Sequence, residues 1–328
     1  METILTGIKP TGELHLGNYF GAIKPSIELA NNSESELLLF LADYHALNYI
    51  KDAKQLKKLT FDLACALLAC GADKENITLY LQSDIPQVFE LEWILSNISA
   101  KGLLNRAHAY KAQCAKNIED GLDCDQNINM GLFCYPVLMA ADILIANPSH
   151  VPVGPDQIQH LEITKEISRV FNNTYGKFFA TIKEIQHPTA EIVGLDGRKM
   201  SKSYNNSISL FCDETTLKKQ INKIVTNSQM PGEPKDTNCN IFKMFSLFAT
   251  EQQKTDMANQ FASGIGWGEV KKQTFALANQ FIAPMREKYN FYQNNPQIVD
   301  QILKRGKEKM TALAEHNMSI IRKLIGKY

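Results

Sequence analysis

A chain of 328 residues, 44% hydrophobic and 21% charged, is long enough to bury a full core and to hold two domains. Its 35 Lys+Arg balance 35 Asp+Glu, so a nucleic-acid partner must be met by a local basic patch and not by a global field. No apolar run approaches the ~20 residues that span a bilayer, and no basic segment leads into an apolar one at the N-terminus, which predicts a cytoplasmic protein with no membrane contact.

Ile4, Leu5 and Ile8 predict a first strand, broken by Gly7, Pro10 and Gly12 before helical spacing begins near Leu14. A strand, a glycine-bearing turn and a helix start is an arrangement that aims backbone N–H groups at an anion. It is equally an ordinary strand-to-helix loop. Tyr19, Phe20, Ile23 and Ile27 predict a helix from Gly17 to Ala30. Glu36 to Ala42 is the apolar run of a parallel strand buried on both faces, ending in Asp43, Tyr44 and His45. Asp52 can cap a helix to about Cys70 with Gly71 beyond its end, and Ile77 to Leu81 reads as a third strand ending in Gln82-Ser83-Asp84.

Residues 86–146 read as mainly helical, with Pro86 opening one helix, a polar loop from Gly121 to Asn129, and an apolar stretch from Leu132 to Ile145 broken by Pro136. Val151 to Gly154 reads as a last short strand, and Pro155-Asp156-Gln157 opens a helix to about Phe171. From Ser209 onward the pattern is helical. The expected fold is α/β: a Rossmann-type parallel sheet over 1–206, then an all-helical region over 207–328. The 7 cysteines are scattered with no CxxC, which supports neither a zinc ribbon nor a thioredoxin-like motif and predicts a reducing compartment.

Lys199-Met200-Ser201-Lys202-Ser203 carries two ammonium groups three residues apart with a hydroxyl between them, a pattern that can wrap a polyphosphate. Gly194 and Gly197 would let the loop open and close. Alone, such a run is also an ordinary solvated charge cluster. Together with His15-Leu16-Gly17-Asn18 it resembles the two signature motifs of the class I aminoacyl-tRNA synthetases. The stretch from Leu138 to Glu166 points to the bacterial tryptophanyl family over its tyrosyl sister. The resemblance covers essentially the whole chain; the lysine motif matches fully, while Leu16 and Asn18 replace the Ile and His usual in the first motif.

The resemblance implies ATP contacts from Lys9, Pro10, Thr11, Gly17, Asn18, Gly154, Pro155, Asp156 and Ile192, with Lys199, Met200, Ser201, Lys202 and Ser203 holding the leaving pyrophosphate. His15, Lys199 and Lys202 would be the catalytic groups. It implies an L-tryptophan pocket in which Asp142 accepts the indole N–H, completed by Tyr135, His45, Met139 and Gln157. It further implies tRNA(Trp) as partner, Mg²⁺ arriving with ATP and not in a protein-held cage, and a homodimer.

Physical chemistry bears on these roles separately. An acid inside an apolar run must meet a donor; a structural ion pair answers that as well as an indole does. The indole N–H is donor-only, so phenylalanine would leave the carboxylate unpaired, and rejection on that basis makes a separate editing domain unnecessary. A carboxylate is already a nucleophile at neutral pH, so His15 is expected to steady phosphate charge and not to move a proton.

Two departures stand out. Relatives often carry two lysines where this chain has Lys111 and Gln113, and only Cys212 and Cys239 lie beyond residue 200, too few for the four-cysteine iron–sulfur site of some relatives. From Arg286 to Tyr328 nine Lys/Arg face four Asp/Glu, either a tRNA surface or a solvated helix face. The competing activities are a tyrosine enzyme and a nucleotidylyltransferase acting on a small metabolite.

Overall fold

A computed structural model describes residues 2–32, 35–154, 157–186 and 192–327. Five parallel strands, β1 (Thr3–Ile8), β2 (Glu36–Leu41), β3 (Ile77–Leu81), β4 (His150–Val153) and β5 (Lys183–Gln186), form one sheet in the order β3-β2-β1-β4-β5. The chain winds outward from β1 to β3, returns to the other side of β1, and continues to β5. The order therefore reverses between β1 and β4, and the crevice at their carboxyl ends is where such sheets bind ligands.

The strands are apolar on both faces because helices cover both. Leu37, Leu39, Leu41 and Leu79 face one core, and Leu38, Phe40, Tyr80 and Val151 the other. Leu16–Asn18 (α1) runs through a π turn at Tyr19–Ile23 into Lys24–Asn32 (α2), so the single helix expected there has a wider middle turn. Asp43–Ala46 (α3) is one turn. Ala53–Leu67 (α4) starts where Asp52 accepts the Gln55 N–H at 2.7 Å, and its π extension, Leu68–Ala72, contains Gly71 at φ of +107°, a conformation that favours glycine.

Pro86–Ser96 (α5), Lys101–Leu104 (α6) and His108–Glu119 (α7) lead to Met130–Ala146 (α8), capped by Asn129. Pro136 does not break α8; it sits buried inside a continuous helix. Ile158–Tyr175 (α9) precedes β5, which was not foreseen: four residues, Lys-Glu-Ile-Gln, carry no strand signature. The structure joins Cys114 of α7 to Cys124 as a disulfide, a pairing the cysteine spacing did not indicate.

Beyond the lysine loop come Glu214–Asn222 (α10), Asn240–Ser246 (α11), Glu251–Ala262 (α12), Trp267–Asn294 (α13) and Pro296–Leu324 (α14). These helices share the two cores of the sheet. Val299 of α14 joins the first core, and Met310, Ala314, Met318 and Ile321 join the second. α14 thus crosses the outer edge of β3, and at Gly306 a Cβ would lie 1.8 Å from the Leu79 carbonyl oxygen. Only glycine permits that approach.

The basic excess of the C-terminal helices is largely spent inside the chain. Lys288, Lys307, Lys309, Arg322 and Lys327 pair with Asp73, Asp84, Glu36 and Glu90 of the sheet region. Either reading of that stretch as an outward face must yield these five to intramolecular pairing.

Candidate active site

At the carboxyl end of β1 the chain turns through Lys9, Pro10 and Thr11, with the Thr11 N–H donating to the Lys9 carbonyl at 2.9 Å. Gly12 follows at φ +122°. A Cβ there would lie 3.1 Å from Nζ of Lys202, so the two motifs, almost two hundred residues apart, meet at this point.

Backbone pairing produces the meeting. Leu16 N–H donates to Ile208 O at 3.0 Å, and Leu210 N–H to Leu14 O at 2.9 Å, stitching the segment after the lysine loop to the start of α1. The loop itself is a hairpin: Met200 N–H donates to Ile192 O at 2.8 Å and Gly194 N–H to Arg198 O at 2.7 Å. Asn206, 2% exposed, locks it, accepting the Ser201 N–H and donating to Lys199 O and Asp196 Oδ1. Met200 turns its side chain into the core, where its sulfur takes the Gly17 N–H at 3.3 Å, while Lys199, Lys202 and Ser203 stay exposed.

The first turn of α1 differs from the expected set of free N–H groups. Leu16 donates to Ile208, Gly17 to Met200, and Asn18 to Nδ1 of His15 at 3.3 Å. His15 N–H in turn donates to Asn18 Oδ1 at 3.1 Å, closing a reciprocal cap. Charge at this end of the crevice must therefore be met by side chains. His15 is pushed down to about 4, by burial first and then by the Lys202 ammonium, so it is neutral at pH 7. With Nδ1 accepting from Asn18, the network assigns its proton to Nε2, a neutral donor. Lys202 is itself shifted down by partial burial, with Glu13 pulling the other way.

Across the crevice, Gly154 follows the end of β4, and Gln157 N–H donates back to its carbonyl at 2.9 Å. Pro155 and Asp156 lie outside the described residues. Gln157 opens α9, and Ile192 packs against the first core.

Tyr135, Met139 and Asp142 occupy one face of α8 at helical spacing. Asp142 is 3% exposed. Its Oδ2 accepts from Nε2 of His45 at 2.8 Å and from Nε2 of Gln82 at 2.8 Å; its Oδ1 accepts from Gln82 alone, at 2.9 Å. Burial raises the pKa of Asp142, and the bonds from His45 and Gln82 oppose that rise. The Tyr135 hydroxyl pairs with Nε2 of His160 on α9, and the Tyr135 ring meets His45 edge-on at 6.2 Å. The structure thus gathers His45, Tyr135 and Asp142 into one hydrogen-bonded and ring-packed group.

Gln82, His160 and Asn206 were absent from the residues read from sequence. Gln82 had a signal, a polar residue at a strand's carboxyl end; His160 and Asn206 had none, because they act on other side chains. Gln113 donates to Asn117 within α7, and Lys111 is exposed beside it. A cavity of about 750 Å³ opens between Asp84 and α14 and holds none of the motif residues. One group of metal-type ligand atoms exists among the described residues, Cys114, Cys124 and Asp125, and its two sulfurs are joined to each other.

The family model described as tRNA synthetases class I (W and Y) matches residues 2–283. The chain belongs to that family. A tryptophan--tRNA ligase of Bordetella parapertussis is 44% identical over 327 residues, spanning 98% of this chain and 72% of the relative. One of Pseudomonas aeruginosa is 44% identical over 328 residues, spanning 98% and 73%. Among solved structures, tryptophanyl-tRNA synthetase of Campylobacter jejuni complexed with ADP and tryptophan superposes with a TM-score of 0.89 at 42% identity, covering 99% of each chain.

Proposed function

We infer that the chain is a tryptophan–tRNA ligase, an aminoacyl-tRNA synthetase that joins ATP and L-tryptophan into tryptophanyl-adenylate and then charges tRNA(Trp). The observation that carries this reading is the match over nearly the whole chain to tryptophan--tRNA ligases at 44% identity. The geometry of the crevice supports it. In the first step a tryptophan carboxylate oxygen bonds to the α-phosphorus as the bond to the β-phosphate breaks, and pyrophosphate leaves with that electron pair. In the second a ribose hydroxyl of the tRNA attacks the activated carbonyl, the bond to the phosphate oxygen breaks, and AMP leaves with its phosphate taking up the hydroxyl proton.

The first step, whose nucleophile is already an anion, needs alignment and charge stabilisation more than proton transfer. Lys199 and Lys202 meet the leaving pyrophosphate, with Ser201 and Ser203 beside them, while Met200, its N–H spent on Ile192 O and its side chain in the core, anchors the loop that carries them. His15 donates from Nε2 toward the phosphates. Lys9, Pro10, Thr11, Gly17 and Asn18 form the β1 side of the ATP crevice; Gly154, Pro155, Asp156 and Ile192 form the adenosine side. Asp142 accepts the indole N–H, Tyr135, His45 and Met139 wall the ring, and Gln157 holds the α-amino group. Mg²⁺ would arrive as part of the ATP substrate and supply neutralisation of phosphate charge beside Lys199 and Lys202.

We assign residues 1–206 to catalysis and 207–328 to tRNA. The family reading implies a homodimer. The described helices are too short or too polar to cross a membrane, and we place the protein in the cytoplasm.

Amino-acid-dependent ATP–pyrophosphate exchange, run across all twenty amino acids, tests the reading. Tryptophan is expected to support exchange well above the rest. Faster exchange with tyrosine would reassign the chain within its family, and no exchange with any amino acid would make it a non-catalytic relative.

A further inference from the structure

Gln82 follows β3 and is 1% exposed. Its amide has a unique orientation forced from both ends. Oε1 accepts from the backbone N–H groups of Tyr44 at 3.1 Å and His45 at 3.3 Å, and a backbone N–H cannot pair with the amide nitrogen. Nε2 donates to both oxygens of Asp142, and a carboxylate cannot pair with the amide oxygen. No other side chain of that length supplies an acceptor at one atom and a two-hydrogen donor at the next.

The partners of Gln82 are held in turn by a crossed lock. Asp43 Oδ1 accepts the Ser83 N–H at 3.0 Å, and its Oδ2 accepts the Ser83 hydroxyl at 2.5 Å. The end of β2 thus caps the turn after β3, while the end of β3, through Gln82, caps the turn after β2. Both strand ends are fixed against each other, and the product of the lock is one amide aimed at Asp142.

The arithmetic of lone pairs follows. Oδ2 of Asp142 takes two donors, His45 and Gln82, and Oδ1 takes one, Gln82. The spare acceptor capacity of a fully buried carboxylate therefore sits on Oδ1, on the side Gln82 leaves open. We propose that Gln82 is a positioning residue for tryptophan selection: it holds the Asp142 carboxyl turned so that Oδ1 receives the indole N–H. This rests on the reading of the chain as a tryptophan–tRNA ligase.

Two variants test it in the exchange assay. Gln82→Met keeps the length and removes both halves of the amide; the KM for tryptophan is expected to rise roughly tenfold or more while the KM for ATP stays within about threefold. Gln82→Glu keeps an oxygen for the Tyr44 and His45 N–H groups, so it retains the lock if Gln82→Met does not fold. Protonated, the introduced carboxyl donates to Asp142 as the amide did; ionised, it sets two carboxylates together, and such a pair titrates as a unit.

The titratable groups facing that position are Asp43 and His45 from α3, Tyr80 on β3, Asp142 on α8, and Tyr135 and His160 behind His45. Gln82→Glu is expected to give a KM for tryptophan about tenfold higher at pH 8 than at pH 6, a dependence absent from the unaltered chain. Equal rises in the KM of tryptophan and ATP for Gln82→Met, or an unaltered pH profile for Gln82→Glu, overturns the proposal. The unaltered chain is the control that separates the two levels. If it exchanges with tryptophan and the variants behave like it, only the role of Gln82 falls; if it does not, the functional reading falls and this one with it.

Discussion

Replacing Asp142 by asparagine probes the tryptophan pocket with the least damage to the fold. The variant is nearly isosteric, and the bonds around Asp142 dictate how the amide will sit. Oδ2 carries donors from His45 and Gln82, while Oδ1 carries Gln82 alone. The asparagine oxygen will take the Oδ2 position, keeping both donors, and its nitrogen will take the Oδ1 position. Folding then loses one hydrogen bond, about 1 kcal/mol. Tryptophan loses more, because the group facing the indole N–H changes from a charged acceptor to a donor. Hydrogen bonds to charged groups contribute ~1.5–3 kcal/mol, which is roughly 10- to 150-fold in kcat/KM for tryptophan. Phenylalanine has no donor to lose and no longer strands a carboxylate, so its kcat/KM should hold or rise and discrimination should narrow from both sides. Exchange assays with the two amino acids, with the KM for ATP as reference, read this directly. A variant with near-normal kcat/KM for tryptophan and undiminished rejection of phenylalanine would refute the assignment of Oδ1 to the indole.

Lys202→Ala should slow single-turnover adenylate formation roughly 10²- to 10³-fold while tryptophan binding by equilibrium titration changes little; an unchanged kcat removes Lys202 from catalysis. His15 carries a pH signature. Its folded-state pKa lies near 4 against 6.5 for the free side chain, so between those values the unfolded chain binds a proton that the folded chain does not. Stability must fall as pH drops through that window, with no contribution above it. His15→Asn keeps a capping side chain and should therefore lose less melting temperature between pH 7.5 and pH 5 than the parent. An identical loss in both chains refutes the neutral, buried state assigned to His15.

The parts of the fold that were legible in the sequence are those in which each residue reports on its own surroundings. β2 declares itself because both faces are buried, and α4 because Asp52 caps it and Gly71 ends it. β5 was invisible: a four-residue edge strand with two charges has neither alternation nor an apolar run. Pro136 misled because a missing N–H suggests a break, yet the helix is buried on enough sides to continue through it. The motif residues of the crevice were readable from their order along the chain. Gln82 showed only as a polar residue at a strand's end, and His160 and Asn206 not at all, since each acts on another side chain across the fold and no spacing records that. The pairing of Lys288, Lys307, Lys309, Arg322 and Lys327 with acids near the N-terminus was hidden for the same reason: charge counted along the chain says nothing of what faces it in space.

The passage of Gly306 over the Leu79 carbonyl bears on how the molecule comes into being. A ribosome delivers β3 long before it delivers α14, so through most of synthesis the nascent sheet carries an unprotected outer strand, with open backbone groups and half-covered apolar side chains. The helix that seals it arrives last and must seat at a position that tolerates no side chain. Chains released early, or carrying any larger residue at 306, would be left with an adhesive edge. Their fate in a cell would be settled by chaperones and proteases before catalysis was ever at issue.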